Sequence, residues 1–369
     1  MDLSSYKINT QNINYKRIFL LSDLHFGVRT NSLEWLQNIQ QFFKNFYIPY
    51  LKTNVQKEDA LFFLGDFFDN RQLLDINVLN VGIDTVIELS EILPLYFITG
   101  NHDIYKKYDT DVNSIAAFRF IPNVIIYEKP VIVSNGNSKI LVIPWIGNKE
   151  HEENYIRANK YDYIFAHTDI AGFNYDNGRD IKETIGTNFN YFKNIKRVFS
   201  GHIHKRQEKD NIIYIGSPYH TKRSDIGNEK GLYLFHPNKN TLEFVKNEFS
   251  PKFQRILLEG ILELTLDESL KILDNNYTDI IVPDKYIHLF NLTKFIDILK
   301  DCKYKKIETL SERKKLDESL SNILDGVDIK DILSLLELSI DDLGHQSEAL
   351  IRLKLLNRKY YEAANKSYD

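Results

Sequence analysis

Seven residues of this chain are candidate metal ligands by type and spacing: Asp23, His25, Asp66, Asn101, His167, His202 and His204. They are carboxylates, imidazoles and one amide, with no thiolate. A mixed oxygen and nitrogen set suits manganese, iron or zinc and fits poorly with a structural zinc of the thiolate kind. Seven ligands are too many for one ion that keeps an open position. Two ions bridged by one carboxylate accommodate them. In Asp23-Leu24-His25 and His202-Ile203-His204 the two donors stand at i and i+2, on the same side of an extended segment. Such a pair can face one ion together or split between two adjacent ions.

Each piece taken singly has a plainer reading. An Asp-x-His is commonly two surface residues, a Gly-Asp commonly caps a helix, and Asn-His-Asp is ordinary loop chemistry. What sets these pieces apart is their repeated context. Leu61-Phe62-Phe63-Leu64 runs into Gly65-Asp66, and Arg17-Ile18-Phe19-Leu20-Leu21 runs into Asp23 and His25. Leu95-Tyr96-Phe97-Ile98 runs into Gly100-Asn101-His102-Asp103. Tyr163-Ile164-Phe165-Ala166 runs into His167, and Arg197-Val198-Phe199 into Gly201-His202-Ile203-His204. Short apolar runs of this kind read as buried strands, and in open α/β sheets sites form at the carboxyl ends of the strands.

The elements between these strands follow from periodicity. Residues 1–15 are polar and read as a loosely held lead-in. Apolar residues at helical spacing predict helices over 31–47, which Pro49 ends or kinks, and over 73–92; a charged helix is expected over 149–160. Strand, helix, strand, helix, strand is a βαβ series with helices on the sheet faces. Short apolar runs over 124–126, 131–133 and 140–143, with a hairpin turn at Asn135-Gly136, predict a crossing to a second, more antiparallel sheet. Residues 206–247 read as short strands with turns at Asp210-Asn211 and Pro237-Asn238. The predicted fold is α/β, a two-sheet sandwich flanked by helices. Phe249-Ser250-Pro251 breaks the strand pattern and marks a boundary. Strand 253–259, helix 266–275, strand 278–282, helix 291–301 and strand 304–309 then predict a small α/β unit. Residues 311–326 read as a charged linker, and 327–365 as two amphipathic helices.

The 369 residues are 43% hydrophobic and 27% charged, with a formal net charge of −4. No global basic character announces nucleic acid, so any such surface must be a local patch. The single cysteine, Cys302, excludes an internal disulfide and a cysteine-rich zinc module. No signal-peptide pattern and no run long enough to span a bilayer is found, which predicts an intracellular, cytoplasmic setting without membrane contact.

Asp23-x-His25, Gly65-Asp66-x-x-Asp69, Gly100-Asn101-His102-Asp103, His167 and Gly201-His202-x-His204 together resemble the motifs of the calcineurin-like metallophosphoesterase superfamily, in its order. The match covers residues 16–250. Within it, Gly216-Ser217-Pro218-Tyr219 and Gly227-Asn228-Glu229-Lys230-Gly231 look like the SbcD-type DNA repair nucleases, and most like the phage-encoded recombination endonuclease subunits of that group. The resemblance implies a four-layer metallophosphoesterase sandwich over 1–250, a small capping domain over 251–310 that helps select DNA shape, and, after the linker, a helical tail over 327–369 that docks on an SbcC-type coiled-coil ATPase. It also implies a homodimer formed through the helices near 75–120.

Carried over position by position, the resemblance assigns Asp23, His25 and His204 to one ion and Asn101, His167 and His202 to the other, with Asp66 bridging. Two divalent cations are implied, with manganese the expected ion. His102 matches the histidine that approaches the scissile phosphate, and Asp103 would orient it. Many relatives carry a second phosphate-facing histidine where this chain has Asp69, so no catalytic role transfers there. The implied activity is two-metal hydrolysis of DNA phosphodiesters, as exonuclease or endonuclease, in double-strand-break processing, recombination or replication. Arg29, Lys205, Arg206, Lys222, Arg223 and Lys230, close in sequence to the motifs, are candidate contacts to the DNA backbone, and Tyr105, Tyr219 and His220 candidate stacking groups. The alternatives are a cyclic-nucleotide phosphodiesterase, against which the extension beyond residue 250 speaks, and a catalytically silent scaffold for the ATPase, against which the complete ligand set speaks.

Overall fold

The computed structural model describes residues 3–8, 10–106, 109–274, 276–283 and 304–309. Fifteen strands build the part that carries the motifs. They are β1 (Thr10–Ile13), β2 (Arg17–Leu21), β3 (Asp59–Leu64), β4 (Leu95–Ile98), β5 (Ile104–Lys106), β6 (Asp109–Asn113), β7 (Val124–Tyr127) and β8 (Val131–Asn135). There follow β9 (Ser138–Ile143), β10 (Tyr163–His167), β11 (Arg197–Gly201), β12 (Gln207–Lys209), β13 (Ile212–Tyr214), β14 (Gly231–His236) and β15 (Thr241–Lys246). One sheet has the order β15-β14-β2-β3-β4-β7 and the other β1-β8-β9-β10-β11-β13-β12.

The apolar runs are continuous because both faces of both sheets are covered. Side chains alternate between faces along each strand. On β2 and β3, Ile18, Leu20, Ala60, Phe62 and Leu64 turn toward the second sheet, where they meet Ile140, Val142, Phe165, Phe199 and Ile213. Their neighbours Phe19, Leu21, Leu61 and Phe63 turn the other way, onto the helices Leu33–Phe42 and Ile76–Ser90. On the far side of the second sheet, Leu141, Ile164, Val198 and Ile212 pack with Ile156 of the helix Lys149–Ala158. The result is helix, sheet, sheet, helix: the sandwich that the strand grammar predicts.

Three expectations need correction, and a fourth, that Pro49 ends or kinks its helix, loses the first of its two alternatives. Residues 10–13 are not a loose lead-in but a strand, β1, paired in parallel with β8 from Thr10↔Ile132 to Ile13↔Asn135. Val124–Tyr127 does not leave the first sheet, because β7 pairs in parallel with β4; the crossing comes after it. The second sheet is also mainly parallel, with antiparallel pairing only at β8–β9 and β12–β13. Pro49 does not end its helix. A π-helical turn over Phe43–Tyr47 precedes it, with the Ile48 N–H bonded back to Phe43 O, and the helix Ile48–Asn54 continues. In a regular helix the proline ring would strike the carbonyl four residues back; the wider turn gives it room.

One compact unit comprises Met1–Arg255 with Leu264–Asp279 and Leu299–Lys305, and a second includes Ile256–Glu263. Past β15 the described elements are a strand Phe253–Leu257, helices Leu258–Leu262 and Leu266–Asp274, and strands Tyr277–Val282 and Tyr304–Thr309. The first strand is shorter than predicted, because a helical turn takes over at Leu258. The helix expected over 291–301, Cys302, the linker 311–326 and the helical tail 327–369 lie outside the described residues. Among the described residues no helix is long and apolar enough to cross a membrane.

Phe62 tests the inter-sheet layer. Its ring stacks on Tyr96 at 4.5 Å and meets Phe165 edge-on at 5.1 Å, with no exposure. Phe62→Ala is expected to lower unfolding free energy by about 3–5 kcal/mol, read by urea denaturation.

Candidate metal centre

The loops after β2 and β3 extend their ladder beyond the strands. Asp23 N–H donates to Gly65 O (3.0 Å), His25 N–H to Asp66 O (3.1 Å) and Phe26 N–H to Phe67 O (2.8 Å). The first sheet thereby delivers Asp23, His25 and Asp66 side by side. The second sheet delivers His167 and His202 from the parallel ends of β10 and β11, where His167 pairs with Gly201. The two sheets meet so closely here that glycine is required. A Cβ on Gly201 would lie 2.0 Å from Ser22 Oγ and 2.3 Å from Leu64 O, and one on Gly65 would lie 2.2 Å from His167 Nδ1.

Four donor residues occupy the left-handed region: Asp23 (φ 54°), His25 (φ 49°), Asp66 (φ 54°) and His202 (φ 84°). Each such residue costs on the order of 1–3 kcal/mol and persists only where its surroundings hold it. Here every one has its N–H tied down. Asp23 and His25 donate to the β3 loop as above, Asp66 N–H donates to Asp103 Oδ2 (2.9 Å), and His202 N–H donates to Asp23 Oδ1 (3.0 Å).

Six of the seven candidates gather into two groups, Asp23 with His25 and His204, and Asp66 with His167 and His202, and a third cluster joins His25 to Asp69 and His102. His25 Nε2 stands 3.7 Å from Asp66 Oδ2 and 3.9 Å from Asp23 Oδ1, and His204 Nε2 is 3.9 Å from Asp23 Oδ1. In the second group His167 Nε2 lies 3.3 Å from Asp66 Oδ2, and Asn101 Oδ1 lies 3.0 Å from His167 Nε2 and 2.8 Å from His202 Nδ1. All seven residues picked from the sequence are thus brought together. An ion bound to oxygen and nitrogen at about 2.0–2.2 Å leaves its ligands separated by gaps of this size. His25 Nε2 supplies the decisive sign of fit: it is buried and has no hydrogen-bond partner among the described residues.

The imidazoles are also held with a nitrogen free for the centre. His167 Nδ1 bonds to Leu64 O at 2.6 Å, which leaves Nε2 facing Asp66. His25 Nδ1 bonds to Asp69 Oδ1 at 3.0 Å, which leaves Nε2 facing the two aspartates. His202 has its Nε2 3.1 Å from Asp169 Oδ1 and turns Nδ1 inward. Such outer partners fix tautomer and ring orientation. Burial first, then the positive neighbours His25, Lys222 and Lys230, push His204 well below its ordinary value, so its ring stays neutral, the form that binds metal. Burial works against the Asp66 carboxylate, yet His167, His25 and His102 hold it well below the usual range; burial also works against His167, which Asp66 nevertheless lifts to about 9. Asp23 is raised, by burial and then by Asp66 against the pull of His167 and His25.

Asp103 does something other than expected. Its carboxylate accepts four backbone N–H groups, from Asp66 and Gly100 on Oδ2 (2.9 Å each) and from Phe67 and Phe68 on Oδ1 (3.0 and 3.2 Å). It fixes the Asp66 loop. The ring of His102 is held instead by Asp69, whose carbonyl oxygen is 2.6 Å from His102 Nδ1, while Asp66 Oδ1 accepts the His102 N–H at 2.8 Å. Asp69 therefore orients two histidines, His25 through its carboxylate and His102 through its carbonyl.

The basic candidates are mostly engaged. Arg29 donates to Thr221 O (3.2 Å) and lies over the ring of Trp35 at 4.7 Å. Arg206 pairs with Glu229 at 3.2 Å, Lys222 with Asp176 at 2.6 Å and Arg223 with Asp279 at 3.0 Å. Lys205 has no side-chain partner among the described residues. Lys230 is not a surface residue: its buried ammonium pairs with Asp225 at 2.8 Å and donates to His204 O. Tyr219 is core, with its hydroxyl on Leu24 O, and His220 is buried, whereas Tyr105 is exposed.

Sequence reasoning passed over Asp169 and Glu152. Asp169 had a readable signal, since His167-Thr168-Asp169 has the same i, i+2 spacing as Asp23-Leu24-His25. Glu152 had none. It lies 16 residues from Thr168, whose hydroxyl donates to it at 2.6 Å, and Thr187 Oγ1 donates from the other side at 2.7 Å.

Two measurements follow. Asp169→Asn removes the charge beside His202 and is expected to weaken metal affinity about 10- to 100-fold, read by metal titration. Glu152 is pushed up to about 7 by burial and by the charges of Asp169 and Glu153, against its threonine bonds. A carboxyl raised above its unfolded value stabilises the fold at low pH, and that contribution is lost as pH rises through the folded value. Glu152→Gln is expected to flatten the fall in stability between about pH 5 and pH 7, read by urea unfolding at several pH values.

The calcineurin-like phosphoesterase family matches residues 16–206. The chain is 28% identical over 235 residues to exonuclease subunit 1 of Enterobacteria phage T4, covering 63% of this chain and 68% of that protein. It is 27% identical over 218 residues to 078R of Invertebrate iridescent virus 3, an inferred phosphoesterase, covering 55% of this chain and 58% of the other. A solved structure of the Aquifex aeolicus protein AQ665, of unknown function, aligns with a TM-score of 0.26 at 17% identity, over 54% of this chain and 82% of that one. The family match spans the strand ends that gather the seven donors, and with it the chain belongs to the calcineurin-like phosphoesterases.

Proposed function

We infer that this metal-dependent phosphoester hydrolase acts on DNA, as the nuclease subunit of a larger complex. What carries the reading is the similarity of 63% of the chain to a phage protein named as an exonuclease subunit, in a chain whose donor set is complete. Asp23, His25 and His204 would hold one divalent ion and Asn101, His167 and His202 the other, with Asp66 shared, and manganese suits this set. Bound there, two such ions supply a hydroxide near neutral pH and clamp the attacking and leaving oxygens of a phosphodiester.

The chain's own residues do the rest. Asp66 and Asp23 bring negative charge that would hold the ions, and the anchored left-handed turns keep their carboxylates still. His102, with Nδ1 committed to Asp69 O, presents Nε2 as the atom that passes a proton to the leaving oxygen or hydrogen-bonds the phosphate. Lys205 is the basic candidate best placed to meet a strand, since its ammonium has no side-chain partner among the described residues. The remaining basic candidates would contribute by exchanging their carboxylate partners for phosphates. An ATPase partner on the helical tail and a homodimer complete the proposal, and both rest on the resemblance to the SbcD-type nucleases.

The test is digestion of end-labelled linear duplex and single-stranded DNA with added manganese, by wild type, Asp66→Ala and His102→Ala. Wild type is expected to degrade DNA and Asp66→Ala to fail. His102→Ala is expected to retain its metal by elemental analysis while losing about 100- to 10,000-fold in turnover. Wild type that cleaves a small bis-aryl phosphodiester but leaves both DNAs intact, even beside an ATPase partner, overturns the nuclease reading.

A further inference from the structure

A cavity of about 330 Å³ opens beside the turn Gly227-Asn228-Glu229-Lys230, with Lys246, Lys252 and Arg255 also in its lining. All these residues belong to the unit that carries the metal centre. Its charge is uneven. The one carboxylate in the lining, Glu229, is doubly paired, 3.0 Å from Lys246 Nζ and 3.2 Å from the Arg206 guanidinium. Lys230 is spent on Asp225. Among the described residues, the side chains of Lys252 and Arg255 have neither an ion pair nor a hydrogen bond. Lys252 still feels the carboxylate of Glu229, which Lys246 and Arg206 hold more closely, so the lining keeps an excess of positive charge around a cavity large enough for a ligand.

The neutral polar groups of the lining are committed elsewhere. Asn228 clamps the backbone of Arg206, accepting its N–H at 2.9 Å and donating to its carbonyl at 3.1 Å. Asn247 donates to Pro218 O and Ser250 Oγ and accepts from the backbone of Phe249 and Ser250. What remains to recognise a ligand is positive charge, which reads phosphate and not base identity. The same turn is tied to the metal centre, because Lys230 holds the carbonyl of His204 and Asn228 holds the residue two further on.

We propose that this cavity is a second anion site, in which Lys252 and Arg255 bind a backbone phosphate of a nucleic-acid strand without regard to sequence. That the anion belongs to nucleic acid rests on the nuclease reading; that an anion binds does not.

The test uses the full chain, the double variant Lys252→Gln/Arg255→Gln and the charge reversal Lys252→Glu/Arg255→Glu. Binding of a fluorescent single-stranded oligonucleotide is measured over a range of salt without added metal, alongside thermal midpoints and metal content as checks of folding. The neutral variant is expected to bind about tenfold more weakly and to lose about 0.7 from the slope of log affinity on log salt, the amount for one phosphate of a single strand. The reversal is expected to bind more weakly still, and random and fixed sequences to lose alike. Unchanged affinity and slope in a folded variant overturn the proposal. If wild type binds no oligonucleotide but inorganic phosphate raises its thermal midpoint and not that of the neutral variant, the anion site stands and the nuclease reading falls. If neither probe distinguishes wild type from variant, the site is overturned.

Discussion

The metal centre depends on one buried carboxylate that touches no donor atom. Asp103 gathers the N–H groups of Asp66, Phe67, Phe68 and Gly100, and so fixes the sharp turn at the end of β3 together with the loop from β4. Hydrogen bonds to a charged group contribute on the order of 1.5–3 kcal/mol each, enough to offset the left-handed backbone of Asp66. The carboxylate itself is under stress: burial and the charge of Asp66 push it up to about 7, against the backbone donors that favour its ionised form. The turn and the placement of Asp66 Oδ2 within reach of both His25 and His167 follow from that anchor.

The sandwich is what makes two donor groups possible. The first sheet alone supplies Asp23, His25, Asp66 and Asn101, and the second alone supplies the remaining histidines. The first sheet brings both carboxylates but one imidazole, and the second brings three imidazoles and no carboxylate. Their strand ends come within backbone contact because residues with no side chain stand at Gly65 and Gly201. The inter-sheet layer around Phe62 and Phe165 sets that approach from below, and the Asp225–Lys230 pair secures the His204 segment from the flank.

The donor set was legible because every donor follows an apolar strand and three of the seven, Asp66, Asn101 and His202, directly follow a glycine, signals that survive in one dimension. The alternation of faces was legible for the same reason: Ile18, Leu20 and Phe62 carry it in their spacing. What was not legible was pairing between distant segments. Residues 10–13 look polar because they lie at a sheet edge, and only β8 makes them a strand. Val124–Tyr127 looks like the start of a new sheet, since nothing in its composition says that β4 lies beside it. The misplacement of Asp103 has a different origin. Its neighbour in sequence is His102, but its partners are amide groups from 35 to 37 residues away and the nearby Gly100.

The four histidine rings with a defined outer partner divide into two kinds. His167 and His102 are held by main-chain carbonyls, those of Leu64 and Asp69, whereas His25 and His202 face side-chain carboxylates, those of Asp69 and Asp169. A main-chain acceptor is the same whatever residue carries it. Genetic drift therefore cannot adjust the basicity of His167 or the aim of His102 through the partner, except by moving the backbone itself. The other two rings can be retuned by a single codon. Selection for a different ion, or for a different rate, has its handles at Asp69 and Asp169, and a screen that changes only side chains will undercount the contacts on which this centre rests.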